Sequence, residues 1–186
     1  MSVPGCLGIL GGTFDPPHLS HLEMAKRVYD ARLVDRVLMV PCFRHAFGKR
    51  PAAFEHRLEM CRCMTRGLEY VEVSDVEQSL KNPGRTLELI AALENRYPNC
   101  TFRLVAGADI YRERHKWYRF KEIEEKAPPI YLAREGITDR EAGWLSAPAD
   151  ISSSDVRGRL QRGESVAGLL AEDVIAYIVE HQLYGV

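Results

Sequence analysis

No sign of charge dominates this chain: 25 lysines and arginines stand against 26 aspartates and glutamates, for a formal charge of -1. That balance excludes a global attraction to nucleic acid, so any anion site has to be local, and no nucleic-acid partner is expected. Long apolar runs are missing as well. None approaches the ~20 residues that span a bilayer, and the first residues show no basic stretch leading into an apolar core. The expectation is a cytoplasmic protein with no signal peptide and no membrane partner. The five cysteines, Cys6, Cys42, Cys61, Cys63 and Cys100, include no CxxC pair. Cys61 and Cys63 fall on a helical stretch, where residues two apart do not face each other. Reduced, structural thiols are expected, with neither a zinc site nor a disulfide framework. There is no GxxxxGK(S/T) loop, and Gly8, Gly11 and Gly12 do not make GxGxxG. Those two gaps remove P-loop chemistry and dinucleotide redox chemistry.

What is present is ordinary globular material: 46% apolar and 27% charged residues over 186 positions. A chain of that length is most simply one domain, here residues 1–186, burying ~70% of its unfolded surface. Short apolar runs at 6–10, 36–41, 70–77, 101–107 and 129–134 read as strands. Helical spacing fills 21–33, 54–68, 86–98, 154–162 and 172–181. Strands too apolar to face water, alternating with helices, predict an α/β fold: a Rossmann-like, doubly wound parallel sheet with helices on both faces. In such a sheet ligands bind beyond the carboxyl ends of the strands, where the strand order reverses. Repeats, linkers and low-complexity tracts are absent.

Two segments carry chemistry. The first is GGTFDPPHLSH, residues 11–21, directly after the first strand. Gly11 and Gly12 lack side chains where the strand turns, so backbone N–H groups can come close to a ligand. His18 and His21 are three apart, on one face of a helix whose N-terminus carries partial positive charge and unsatisfied donors. Together they form a candidate phosphate site; a tight turn with two exposed histidines is the plainer reading. The second is ISSSDVRGRL, residues 151–160, in which three serines precede Arg157. The serines fit a helix cap with a solvated arginine, and equally a set of hydroxyls, amides and a guanidinium around a polyphosphate.

These two segments resemble the HxGH and ISSTxxR motifs of the nucleotidyltransferase superfamily. VAGADIYRERHKWYRFKEI (105–123) and the tail VIAYIVEHQLY (174–184) further resemble the nicotinate-nucleotide adenylyltransferases. The resemblance runs over nearly the whole chain and implies the nucleotidyltransferase type of the α/β fold. It also implies an enzyme that joins ATP to a pyridine mononucleotide, releasing pyrophosphate, with Mg²⁺ carried mainly by phosphates and water. On that resemblance His18, His21 and Arg157 serve the phosphates. Gly12, Thr13 and Phe14 flank both substrates. Gly107 and Asp109 hold the adenosine, and Ile151, Ser152, Ser153 and Ser154 line the adenine and triphosphate. Trp117 stacks on the pyridine, with Thr86 and the backbone around Tyr118 near its carboxylate; Arg134 and Lys49 serve the mononucleotide. Read without the resemblance, Trp117 is equally a partly buried anchor and Asp109 a helix N-cap. Contact with phosphate is expected to favour charged histidines.

The chain departs from the family pattern at four places, one of them SVAGLL (165–170), which lacks the Arg-Tyr pair usual near the last helix. Ser20 stands where the His motif has glycine. In PCFRHAFGKR (41–50) the usual adjacent His-Lys pair is split, so Arg44, His45 and Arg50 compete with Lys49 for the mononucleotide phosphate. Arg85 replaces an aromatic residue before Thr86, a cation expected to favour the acidic mononucleotide. The competing functions are another transferase of the superfamily, for example on phosphopantetheine, and a nucleotide-binding module without turnover.

Overall fold

The computed structural model describes residues 5–44, 51–133, 144–146 and 150–186. Five parallel strands form one sheet: β1 (Gly5–Gly12), β2 (Arg36–Pro41), β3 (Val71–Val73), β4 (Cys100–Gly107) and β5 (Ile130–Leu132), in the order β3-β2-β1-β4-β5. The chain winds outward from β1 through β2 to β3, then crosses back to lay β4 on the other side of β1. The reversal predicted for a doubly wound sheet therefore lies between β1 and β4.

Side chains alternate across the sheet with period two. On one face Leu10, Val37, Met39, Val105, Ile130 and Leu132 form a core with residues of α1 (Leu19–Asp30), α2 (Phe54–Thr65), α6 (Ser153–Gln161) and α7 (Glu172–Glu180). On the other face Leu7, Ile9, Leu38, Val40, Leu104 and Ala106 pack with residues of α3 (Thr86–Arg96) and α5 (Phe120–Lys126). Burial on both sides explains why these strands read as continuous apolar runs rather than alternating ones. Among the described residues no helix is long and apolar enough to cross a membrane, and all five cysteines are free thiols.

The structure corrects several element boundaries. The strand predicted over 70–77 is only Val71–Val73, followed by a 3₁₀ turn at Val76–Ser79. There Gln78 N–H donates to the Asp75 carbonyl at 3.0 Å and Ser79 Oγ to the Val76 carbonyl at 2.8 Å, local bonds that take the backbone out of the ladder. The helix predicted to reach 68 stops at Thr65, ahead of Gly67 with φ 79°. The helix expected to be stopped by Pro98 ends at Arg96, because Tyr97 precedes the proline and leaves the α region. Two short helices were not anticipated, α4 (Ala108–Glu113) and α5; each is too brief to show a periodic pattern. β5 ends at Leu132, short of the strand expected over 129–134; Arg134 lies outside the described residues, as do His45, Lys49 and Arg50.

The feature that positions the site is where the central ladder ends. β1 pairs with β4 from Gly5↔Cys100 to Ile9↔Leu104. Beyond that point β1 stays with β2 as far as Gly12↔Pro41, while β4 stays with β5 as far as Gly107↔Leu132. The two strands part, and a crevice opens between their carboxyl ends. Gly8, inside the paired region, is closely packed: a Cβ there would lie 3.1 Å from Val105 Cγ2 and 3.2 Å from Val34 Cγ1, so both valines would have to give way by a few tenths of an ångström. Gly8→Val should therefore cost ~1–3 kcal/mol of stability through overpacking. Urea denaturation with an unchanged midpoint would contradict this account of the β1–β4 packing.

Candidate active site

A cleft of about 1240 Å³ fills the crevice. Its lining brings together Gly12, Thr13, Phe14, His18 and His21 from the first segment and Ile151, Ser152, Ser153, Ser154 and Arg157 from the second. Gly107, Asp109, Thr86 and Trp117 join them. Tyr118 is not among the lining residues: its ring stands 56% exposed, with the Arg85 guanidinium 4.9 Å from its centre. Arg85 also pairs with Glu88 at 3.8 Å, so its charge is engaged outside the cleft.

The histidine pair is built by the first turn of α1. His18 is the N-cap, in extended conformation, and His21 is the third helical residue. Their rings stack with centroids 3.7 Å apart, and the Phe14 ring meets His21 edge-on at 4.8 Å. The plainer expectation, two exposed histidines on a turn, is not met: His18 is buried and His21 is packed from two sides. His18 N–H donates to His21 Nδ1 at 3.2 Å. An accepting Nδ1 places the ring proton on Nε2, the tautomer of a neutral imidazole. Burial, and then the neighbouring His18, push the His21 pKa well below the usual histidine range. Without ligand, burial opposes the expected charged form, and His21 stands as a neutral N–H donor. Ser20, between the two, is buried and lines the same cleft.

The serine–arginine segment divides its tasks. Ser152 caps α6 by accepting from Asp155 N–H at 3.1 Å, and Ser153 Oγ donates to the Pro16 carbonyl at 2.9 Å. Arg157 is not simply solvated: Nη1 donates to the Asp15 carbonyl at 2.6 Å and lies 3.4 Å from Asp15 Oδ2, while Nη2 donates to Ser154 Oγ at 3.2 Å. The helix cap and the cleft lining coexist in one segment. Asp109 is not an N-cap, because Gly107 caps α4; Asp109 sits in the first turn and lines the cleft. Trp117 packs edge-on against Phe120 at 5.9 Å, the anchor weighed for it, and it also lines the cleft.

Four groups escaped the sequence reading: Arg57, Asp15, its partner Tyr184, and Glu77. Arg57 is fully buried and holds the loop after β1, its Nη1 donating to the Thr13 carbonyl at 2.7 Å and its Nε to the Ala52 carbonyl at 2.9 Å. Its signal was available: an arginine at i+3 from Phe54 and one before Leu58, on the buried stripe of α2. Asp15 accepts from Ala52 N–H at 3.0 Å and from the Tyr184 hydroxyl at 2.9 Å. Glu77, also buried, accepts from Phe43 N–H at 3.2 Å and Gly84 N–H at 2.8 Å, tying the loop after β2 to the approach to α3. Burial raises its carboxyl pKa, against those two bonds. Cys42, at the end of β2, has its thiol pushed up by burial beside Thr13, so it is no activated nucleophile.

Among the described residues no group of three His, Cys, Asp or Glu side chains could hold a metal ion. The donors that converge are suited to anions: stacked imidazoles at a helix N-terminus, a guanidinium, serine hydroxyls and an open glycine turn, with no side chain or backbone within 4 Å of a Cβ built on Gly11.

The cytidylyltransferase-like family matches residues 9–159. A protein of Anaeromyxobacter dehalogenans strain 2CP-C, named probable nicotinate-nucleotide adenylyltransferase, is 41% identical over 96% of this chain and 96% of its own. A protein of Myxococcus xanthus with the same name is 37% identical over 96% of this chain and 94% of its own. In shape, the Plasmodium falciparum nicotinic acid mononucleotide adenylyltransferase complexed with NaAD matches with a TM-score of 0.82 at 20% identity, over 96% of this chain and 97% of that one. The same enzyme complexed with APC gives a TM-score of 0.79 over 97% of both. At that identity the structures speak for the fold, and the curated relatives speak for the family. The chain belongs to the cytidylyltransferase-like family and, within it, to the nicotinate-nucleotide adenylyltransferases.

Proposed function

We infer that the chain joins ATP to nicotinate mononucleotide, giving the dinucleotide and pyrophosphate, as one catalytic domain over residues 1–186 working in the cytoplasm. The observation that carries this reading is the meeting of the His18–His21 pair and the Ser152–Arg157 segment across the crevice where β1 and β4 part.

The mononucleotide phosphate is ionised at neutral pH and needs no general base. One of its oxygens attacks the α-phosphorus of ATP in line, the bond from that phosphorus to the bridging oxygen breaks, and pyrophosphate departs with the electron pair. The protein's task is to align the groups and neutralise charge as it shifts toward the leaving group. His21 offers a neutral Nε2–H to the α-phosphate, and His18, stacked beside it, lines the same wall. Arg157, Ser153 and Ser154 serve the triphosphate, with Gly12, Thr13 and Phe14 between the substrates. Asp109 holds the ribose and Gly107 and Ile151 the adenosine. At the other end Trp117 stacks on the pyridine, and Thr86 with the backbone near Tyr118 takes its carboxylate. Arg44 lines the cleft on this side, while Lys49 and Arg134 stay assigned to the mononucleotide by resemblance alone. Magnesium enters on the ATP phosphates as part of the substrate.

The test is turnover. With ATP, Mg²⁺ and nicotinate mononucleotide the protein should release pyrophosphate and form the dinucleotide. Activity only with phosphopantetheine, or saturable ATP binding without pyrophosphate, would refute the reading. His18→Ala and His21→Ala should each lower kcat by roughly 10²–10³ with the fold retained by circular dichroism; unchanged turnover in both would remove them from the site. The neutral state of His21 has a further consequence. Between the unfolded value near ~6.5 and the lower folded value, the unfolded chain binds the extra proton. Stability should therefore fall as pH drops below ~6.5, by up to about 1.4 kcal/mol per pH unit from this group. Urea titrations at pH 7.5 and 5.5 should show a smaller loss in His21→Asn than in the wild type. An equal loss in both would contradict it.

A further inference from the structure

The tail after α7 has no part in the chemistry above, yet it returns to the cleft. Gln182 (φ 50°) and Tyr184 (φ 64°) both adopt left-handed backbone, a conformation that residues other than glycine keep only where their surroundings hold them. Gln182, Leu183 and Tyr184 line the cleft, and Tyr184 packs against the core on the α6–α7 side of the sheet. Its hydroxyl donates to Asp15 Oδ1 at 2.9 Å, across 169 residues of sequence. Burial, with the Asp15 carboxylate beside it, drives the Tyr184 pKa upward, so the hydroxyl stays a donor at any working pH.

Asp15 is an awkward neighbour for a triphosphate. It is a buried carboxylate in the wall of an anion site. Oδ1 is satisfied by two neutral donors, Ala52 N–H and Tyr184 O–H. Oδ2 faces Arg157 at 3.4 Å, a loose pairing, whereas the same guanidinium makes a 2.6 Å bond to the Asp15 carbonyl. Remove the Tyr184 hydroxyl, and the carboxylate has lost one of its donors and gains most by closing on Arg157. The guanidinium would then be drawn from the cleft onto the protein's own acid.

We propose that Tyr184 is a positioning residue for the phosphate end of the site: by hydrogen-bonding Asp15 it keeps Arg157 available to the triphosphate of ATP. The proposal rests on the adenylyl-transfer reading, and ATP binding measured apart from turnover separates the two. Calorimetry with a non-hydrolysable ATP analogue compares the wild type with Y184F, D15N and the double variant; thermal melting establishes that each is folded at the assay temperature. In Y184F the analogue's Kd should rise about tenfold, the size expected for a lost hydrogen bond to a charged group. The KM for ATP should rise with it, while the KM for the mononucleotide stays within about twofold. In the D15N background the charge that needed quenching is gone, so Y184F should have little further effect. A Y184F protein that binds the analogue as the wild type does overturns the proposal. So does an equal loss in the D15N background, which would assign Tyr184 a packing role alone. A wild type that binds the analogue but releases no pyrophosphate refutes the transferase reading and leaves the binding comparison to decide this one. A wild type that binds no analogue overturns both.

Discussion

After Ile9↔Leu104 the central ladder of the sheet has no further rungs, because β1 and β4 are each committed to a different outer neighbour. That divergence is what the rest of the molecule depends on. It is a consequence of strand order rather than of any single side chain, and it leaves two glycine-ended strands facing each other across a gap. The loops that follow them, with the starts of α1 and α4, have to open into that gap. α6 reaches the same place from the face that also carries α1, α2 and α7. A helix N-terminus, a pair of rings and a guanidinium therefore meet without any one segment of the sequence containing them all.

A gap of this kind is easily filled by its own loops, and here two arginines and a serine hold the loop after β1 by its carbonyl groups. Arg57 pins the Thr13 carbonyl, Arg157 pins the Asp15 carbonyl and Ser153 pins Pro16. Three carbonyl groups of that loop, those of Thr13, Asp15 and Pro16, are thereby supplied with donors. The same economy governs charge. Two imidazoles stacked at 3.7 Å cannot both be protonated cheaply in a buried wall, and His21 stays neutral, its Nδ1 accepting from His18 N–H. The positive potential comes from the helix end and from Arg157, whose charge is shared with Asp15.

Most of the fold was legible because its signals are local. β2 was expected at 36–41 and lies at Arg36–Pro41, and β4 and α6 were located to within a residue. β3 was overextended because Ser74 and Asp75 bend an edge strand whose apolar rhythm continues beyond the bend. The described residues named for the cleft line it, apart from Tyr118: the glycine turn and the His and Ser–Arg pairs announce themselves by spacing, whereas Gly107, Asp109, Thr86 and Trp117 were named on the resemblance. Arg57, Asp15, Glu77 and Tyr184 did not, because their partners are main-chain groups or residues up to 169 positions away. Asp15 lay inside the quoted motif all along. Only the folded chain shows that it is the point where α2, α6 and the tail are joined to the loop.

The central claim is that this crevice aligns two phosphates for one direct displacement, with no covalent adenylyl-enzyme. The stereochemistry at phosphorus tests it. Turnover of a single diastereomer of ATP carrying sulfur on the α-phosphorus should give dinucleotide with inverted configuration, the outcome of one in-line step. Retention would mean two successive displacements through a protein-bound intermediate, and would contradict the account.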